Sequence, residues 1–159
     1  MANTASIEIL ASSNQFISAG NPNVLSLLQA DCTIEAWVYP YNFNQAATIV
    51  SKDFNYIGGA GNREFTMFIE TNRNIQFLVI GSNKSEVPVR SNTLLSANNW
   101  THIAMVYQAS NQQVTLYING QFDVAQALGV GSINVTNAFL QLGLTGATYS
   151  GNYNNGYTG

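Results

Sequence analysis

Apolar and polar residues alternate along most of this chain, and the stretch 99–120 shows the alternation most clearly. In 100–107 both alternating sets of side chains are largely apolar, which predicts a strand in a sheet that is covered on both faces. In 113–119 apolar residues alternate with polar ones, which predicts a half-exposed strand. The pair Asn119-Gly120 supplies the positive φ of a two-residue hairpin turn, so a further strand should return from Gln121.

Similar stretches recur about every ten residues with turn residues between them, and no window has a useful helical period. The segment 33–39 is predicted to be a second fully covered strand, which Pro40 ends. The other predicted strands are 7–9, 16–17, 47–51, 64–70, 74–80, 84–90, 122–128 and 139–142. Because several strands have apolar residues on both sides, the pattern predicts an all-β fold of two antiparallel sheets packed face to face, in preference to a closed barrel.

Composition narrows the domain organisation and the classes of partner. With 159 residues, the chain is expected to form one domain over 1–159. Only 8% of the residues are charged, the net charge is −3, and the five Lys and Arg residues are scattered, so we expect no nucleic-acid partner. No apolar run reaches the roughly 18 residues of a membrane helix, and the amino terminus lacks the pattern of a secretion signal. We therefore expect no membrane partner and a chain made without a leader.

Three segments carry a resemblance to a known family. The residues 33–40 (TIEAWVYP), 99–107 (NWTHIAMVY) and 116–120 (LYING) resemble, in order and spacing, the strand motifs of laminin-G-like domains in the concanavalin A-like lectin and glucanase superfamily. The resemblance implies a two-sheet antiparallel jelly-roll sandwich. It is weak for function, because this fold carries lectins, hydrolases and structural modules.

The resemblance also implies a further strand at the carboxyl end. Such domains usually finish with a strand after a Gly-rich loop, and this sequence stops at Gly159, where that strand would begin. We expect that the chain lacks its final strand, either as a fragment of a longer protein or with a neighbour's strand completing the sheet. The first alternative is favoured.

Residues for catalysis are missing from the pattern. Cys32 is the only cysteine and His102 the only histidine, so neither a cysteine-based zinc site nor a catalytic triad is expected. Cys32 is expected to be buried as a small hydrophobe, and His102 to be structural, with its ring hydrogen-bonded inside the sandwich. Glu64 and Glu70 share a predicted strand but would stand about 20 Å apart, too far for the carboxyl pair of glycoside hydrolysis. We therefore predict no catalytic residues.

Aromatic side chains in loops are the candidates for ligand binding, because sugars stack on aromatic rings while amides bind their hydroxyls. The alternative is that these are ordinary loop and interface residues. The predicted ligand-binding residues are Phe54, Tyr56, Arg63, Tyr149, Tyr153 and Asn154. No cofactor is expected. Calcium stays open through Asp31, Asp53 or Asp123, although no run of clustered Asp residues forms a distinctive calcium loop.

The low charge, the amide-rich surface and the open carboxyl edge resemble virion proteins of tailed phages. The sequence thus predicts a non-enzymatic binding or structural module on a virion surface, in a capsid decoration or a tail appendage. It would bind a host glycan or a neighbouring virion protein through loops 53–62 and 144–157, as an oligomer or within a larger assembly. The alternative is a carbohydrate-binding module of a secreted bacterial protein, outside the cell or on its surface. A glycoside hydrolase is the least favoured class.

Overall fold

A computed structural model describes residues 6–9, 15–20, 27–53 and 63–143. The described part contains ten strands and one short 3-10 helix, Leu27–Gln29. The strands are β1 (Ile17–Ser18), β2 (Cys32–Val38), β3 (Ala47–Asp53), β4 (Arg63–Ile69), β5 (Ile75–Ile80), β6 (Glu86–Arg90), β7 (Thr101–Gln108), β8 (Gln113–Ile118), β9 (Gln121–Ala127) and β10 (Leu140–Leu142). None of the helices among the described residues could cross a bilayer.

The strands form two antiparallel sheets. One has six strands in the order β1-β10-β3-β4-β5-β6, and the other has four in the order β2-β7-β8-β9. This arrangement confirms the predicted all-β sandwich of two antiparallel sheets.

A single apolar core fills the space between the sheets. Alternate residues of β7, among them Ile103 and Met105, meet buried residues of β4 and β5 such as Phe65 and Phe77. The Phe65 and Phe77 rings stack with their centroids 5.6 Å apart.

Local turn chemistry is as predicted. Asn119 and Gly120 both have positive φ, 51° and 75°, and connect β8 to β9 as a two-residue hairpin. Arg73 also has a positive φ in the turn between β4 and β5, where its N–H donates to the Glu70 carbonyl. Pro88 lies in β6, an edge strand of the six-stranded sheet, where a residue without an N–H is tolerated.

The prediction that 33–39 and 100–107 are covered on both faces was wrong. In β2 every second residue is exposed, including Glu35 and Trp37, and in β7 the residues His102, Ala104 and Val106 are only partly buried. The strands that are buried on both faces are β3, β4 and β5 in the other sheet. Burial depends on which layer packs over a strand, and alternation within the strand does not specify that layer.

Three smaller expectations also need correction. His102 lies on the outer face of the four-stranded sheet instead of inside the sandwich. Cys32 is partly buried and not fully so. The first strand is Ile17–Ser18, whereas residues 6–9 form no strand.

Buried charges cluster where β3 ends and β4 begins. Lys52 Nζ lies 2.8 Å from Glu64 Oε1 with both side chains buried, and Arg63 Nε lies 3.1 Å from Asp53 Oδ2. The backbone N–H of Thr136 donates to Glu64 Oε1, and Lys52 Nζ donates to the Thr136 carbonyl at 2.9 Å. These bonds tie the chain that precedes β10 to the six-stranded sheet.

Candidate ligand-binding face

Exposed aromatic rings gather on the outer face of the four-stranded sheet. We call this surface the aromatic face, formed by Trp37, Tyr39, Tyr41, Trp100, His102, Tyr117 and Phe122. Trp37 is 59% exposed, Trp100 48% and Phe122 65%. A group of large apolar side chains exposed to water is typical of a surface that binds a ligand or a partner.

Strand pairing sets the spacing of the rings on β2 and β7. Trp37 pairs directly with His102 across the two strands, and their ring centroids are 5.2 Å apart. Just beyond this pair the rings of Tyr39 and Trp100 are 5.3 Å apart, and the ring of Tyr41 is 5.7 Å from that of Tyr39. The five rings therefore form a continuous stripe along one end of the sheet.

The Tyr41 hydroxyl ends this stripe in a hydrogen bond. Tyr41 Oη donates to Glu8 Oε1 at 3.0 Å. This bond, and with it the negative charge of Glu8, raises the pKa of the Tyr41 hydroxyl above its usual value.

A second pair of rings lies on β8 and β9. A register shift between Leu116 and Tyr117 leaves Tyr117 opposite Phe122, with the ring centroids 6.3 Å apart in an edge-to-face arrangement. Ala104 lies opposite Tyr117 on one side and opposite Glu35 on the other. The small Ala104 side chain therefore lies between Glu35 and Tyr117 on the outer face of the sheet.

Polar groups accompany the rings. Glu35 Oε2 lies 3.4 Å from His102 Nε2. The Asn119 side-chain oxygen accepts the His102 backbone N–H at 2.9 Å, which fixes the end of β8 against β7. A carboxylate and an imidazole are thus available beside Trp37 for hydrogen bonds to a ligand.

A cleft of about 220 Å³ opens beside Trp37, between β2 of one sheet and β3 and β10 of the other. Its walls include Ile7, Ile9, Ile49 and Leu142, with Glu35 and Trp37 at the border with the aromatic face. Trp37 therefore lies between a flat surface and a concave one, which is the setting of a residue that could hold a small molecule.

The structure tests few of the predicted site residues. Phe54, Tyr56, Tyr149, Tyr153 and Asn154 lie outside the described residues, as do most of loops 53–62 and 144–157. Arg63 is described, and its guanidinium is 9% exposed and bound to Asp53 and to Glu86, with Nη1 2.6 Å from Glu86 Oε1. Its part in ligand binding stays a prediction.

The three candidate calcium carboxylates are each engaged elsewhere. Asp31 accepts the Ala109 N–H at 2.7 Å, Asp53 binds Arg63, and Asp123 accepts the N–H groups of Asn92 and Thr93. Within the described ranges, no three His, Cys, Asp or Glu side chains come together in a group that could hold a metal ion. The described carboxylates thus do not fit a shared calcium site, and calcium binding stays a prediction.

We did not predict from the sequence that Trp37, Trp100, Tyr117 and Phe122 form one exposed surface. A signal was present, because Thr33 and Glu35 share one side of β2 with Trp37. Two polar residues on that side indicate contact with water. Trp37, which follows these two polar residues on the same side of β2, was therefore a candidate for exposure.

Comparisons with known proteins agree with this architecture. Residues 11–158 match the Laminin_G_3 family, described as the concanavalin A-like lectin/glucanases superfamily. No protein with a curated description matches the sequence.

Several solved structures share the fold at low sequence identity. The binding domain of Paraclostridial Mosquitocidal Protein 1 is 16% identical over 93% of this chain and 38% of its own, with a TM-score of 0.68. A candidate carbohydrate-binding protein from Bacteroides ovatus is 18% identical over 96% of this chain and 40% of its own, with a TM-score of 0.67. The Ruminococcus gnavus IT-sialidase CBM40 bound to α2,3-sialyllactose is 12% identical over 81% of this chain and 72% of its own, with a TM-score of 0.58.

This chain thus spans about two fifths of the length of the first two of these solved chains. Identities this low show a shared fold. The family match covers nearly the whole sequence. The chain is a laminin-G-like domain of the concanavalin A-like lectin/glucanase superfamily.

Proposed function

We propose that this domain is a non-catalytic glycan-binding module, and that the aromatic face with its cleft holds the sugar. The observation that carries the proposal is Trp37, which is 59% exposed at the border of a concave cleft, with its ring centroid 5.2 Å from that of His102. An indole costs free energy when it is left in water, and a bound sugar ring would cover it.

The chemistry of the face suits a saccharide. The C–H faces of a sugar ring pack against aromatic rings, and its hydroxyls need donors and acceptors nearby. Trp37 on β2 and Tyr117 on β8 offer rings, while Glu35 and His102 offer polar atoms. A mono- or disaccharide unit that spans two or three strands would touch both kinds of group.

The described neighbours support a binding role. The Ruminococcus gnavus domain is bound to α2,3-sialyllactose, and the mosquitocidal protein domain is a binding domain. Sharing their fold makes glycan recognition by this chain a reasonable proposal, although function must rest on the site itself.

Two observations favour the non-catalytic alternative over a glycoside hydrolase. Hydrolysis needs two carboxyl groups about 5 to 9 Å apart on either side of the sugar bond. Glu64 is buried against Lys52, and Glu70, which follows β4, is bound to Arg90 at 3.2 Å, so each of these two glutamates is held by its own cation.

The setting of the module is also part of the proposal. A virion surface protein that binds a host glycan or a neighbouring virion protein, as an oligomer or within a larger assembly, fits the amide-rich composition. A carbohydrate-binding module of a secreted bacterial protein is the alternative. Mass photometry at high concentration would separate a self-assembling protein from a monomeric module.

A glycan array followed by isothermal titration calorimetry tests the proposed function. A glycan that the wild type binds on the array is expected to bind at least tenfold more weakly to Trp37→Ala, because the ring supplies most of the contact. Val135→Ala is the matched control, since Val135 is also an exposed apolar side chain but follows Asn134, which bonds to the Arg63 carbonyl on the six-stranded sheet. Its affinity should stay within twofold of the wild type. Equal affinities for all three proteins would contradict the proposal.

A further inference from the structure

Every Lys and Arg of the chain belongs to the six-stranded sheet or its hairpins. The five cations are Lys52, Arg63, Arg73, Lys84 and Arg90. These five are the only Lys and Arg residues in the sequence, and the structure describes all of them.

The carboxylates divide differently between the two sheets. Asp53, Glu64, Glu70 and Glu86 form ion pairs with these cations. The other four carboxylates lie at the four-stranded sheet. Asp31 precedes β2, Glu35 lies in β2, Asp123 lies in β9, and Glu8 binds Tyr41 of the aromatic face.

The molecule is therefore electrically polarised. The six-stranded sheet, with five cations and four carboxylates, has a formal charge of +1, whereas the four-stranded sheet, with four carboxylates and no Lys or Arg, has −4. The sum of these two charges is −3, which is the net charge of the whole chain when His102 is neutral. The residues of the four-stranded sheet, together with Glu8, therefore carry the negative excess, although the Asp123 carboxylate binds the chain just after β6.

Glu35 brings this excess to the proposed binding surface. Its side chain is 66% exposed, it lies 3.4 Å from His102 Nε2, and it lines the cleft beside Trp37. Proteins recognise carboxylate and sulfate groups mainly through Arg and Lys, and this surface has neither.

We infer that the ligand of the aromatic face is an uncharged saccharide, and that Glu35 disfavours glycans carrying a carboxylate or sulfate. This inference rests on the proposed function. The fold alone does not decide the matter, because one solved neighbour is bound to α2,3-sialyllactose, an acidic glycan. A like charge about 5 Å from Glu35 in water should weaken binding by about threefold to tenfold at low salt.

Matched glycan pairs test the inference. Each neutral glycan on the array, lactose for example, is compared by calorimetry with its sialylated or sulfated derivative in 20 mM salt. The neutral member should bind at least threefold more tightly. Glu35→Gln should bring the two affinities within twofold of each other.

Glu70→Gln is the control, because it changes the net charge by the same amount on the other sheet, where Glu70 pairs with the exposed Arg90. It should leave the wild-type ratio unchanged. Tighter binding of the acidic members, or an equal effect of the two substitutions, would overturn the inference and leave the proposed function standing. If the wild type binds neither member of any pair, the proposed function fails, and the inference fails with it.

Discussion

The two sheets of this sandwich differ in what they do with their outer faces. In the six-stranded sheet β4 and β5 are buried on both faces, and polar side chains there, including Ser51 and Thr66, are also buried. In the four-stranded sheet only the inner face is buried, and the outer face presents Trp37 and Phe122 to water. Both sheets contribute residues to the core, and they differ in that the four-stranded sheet has an outer face open to water, where we propose that the ligand binds.

Charge separates the sheets in the same way. Three of the five cations, Lys52, Arg63 and Arg90, form ion pairs within the six-stranded sheet. Among the described residues, the carboxylates of the four-stranded sheet form no ion pair with a Lys or Arg. A buried ion pair holds its strands in place only while both partners remain. Glu35, 66% exposed and 3.4 Å from His102 Nε2, is the carboxylate beside the aromatic rings through which we infer selection against acidic glycans.

Two phenylalanines give the largest expected contrast. Phe77→Ala removes a fully buried ring from the core and should lower the free energy of unfolding by about 3 to 5 kcal/mol. Phe122→Ala removes a ring that is mostly exposed and should cost at most about 1 kcal/mol, the value of its edge-to-face contact with Tyr117. Urea unfolding followed by circular dichroism measures both. Similar losses in the free energy of unfolding for the two variants would contradict this difference between the two sheets.

Two glutamates give the next contrast. Glu64→Gln leaves the buried Lys52 ammonium without its carboxylate and should destabilise the protein by about 3 kcal/mol. Glu70→Gln breaks an ion pair with the half-exposed Arg90 and should cost less than about 1 kcal/mol. Replacing Lys52 by Met together with Glu64 by Leu removes the unpaired ammonium and should recover part of the loss, because the Thr136 backbone groups still lose their partners. A double variant as unstable as Glu64→Gln would argue against the desolvated cation as its cause.

Local chemistry explains which of these features the sequence could predict. The hairpin at Asn119-Gly120 depends on two adjacent residues, and the strand limits depend on short alternations, so both could be predicted. The exposed side of β7 could not, because Ala104 and Val106 look like core residues although they lie on the outer face. The Lys52–Glu64 pair joins neighbouring strands across 12 positions, and nothing in the sequence marks those two residues as partners.

The candidate site also depends on contacts between strands that are distant in the sequence. Sequence reasoning sought aromatic residues in loops, since loops often carry function, and placed the site at Tyr56 and Tyr149. The aromatic face comes instead from strand residues, Trp37 and Tyr117 among them, and from the end of β2. Only pairing between β2, β7, β8 and β9 collects them on one surface.

Two glycines probe the border between the sheets. Gly143 has a φ of 80°, and a Cβ there would lie 2.7 Å from Ile9 Cγ2, a side chain that lines the cleft. Gly129 has a φ of 64° with nothing near a new Cβ. Gly129→Ala should cost about 1 kcal/mol for backbone strain alone, and Gly143→Ala about 2 kcal/mol, since Ile9 must also move. Equal thermal shifts would show that Ile9 does not pack closely there.

Alkaline pH should give the smallest effect. Burial, and after it the Asp31 carboxylate, raises the pKa of the Cys32 thiol above its usual value, and burial likewise raises the pKa of the Tyr107 hydroxyl. A thiol whose pKa is higher in the folded state than in the unfolded state stabilises the fold below the unfolded pKa of about 8.5, and this stability is lost as pH rises through the folded value.

The urea midpoint should therefore fall slightly as the pH rises from about 8.5 to 9.5, before tyrosine ionisation adds to the loss above about pH 10. Cys32→Ala should remove the first part of the decline. A wild-type midpoint that stays constant over this range would contradict the shift.

The most direct test of a sugar-binding aromatic face uses the chain's two tryptophans, Trp37 and Trp100, which both lie on that face. Their indole N–H signals in a ¹H–¹⁵N spectrum can be followed while a neutral glycan identified on the array is added. We predict that the Trp37 signal shifts in a saturable way, with the same affinity that calorimetry gives. Saturable binding of the glycan with both indole signals unmoved would contradict the account.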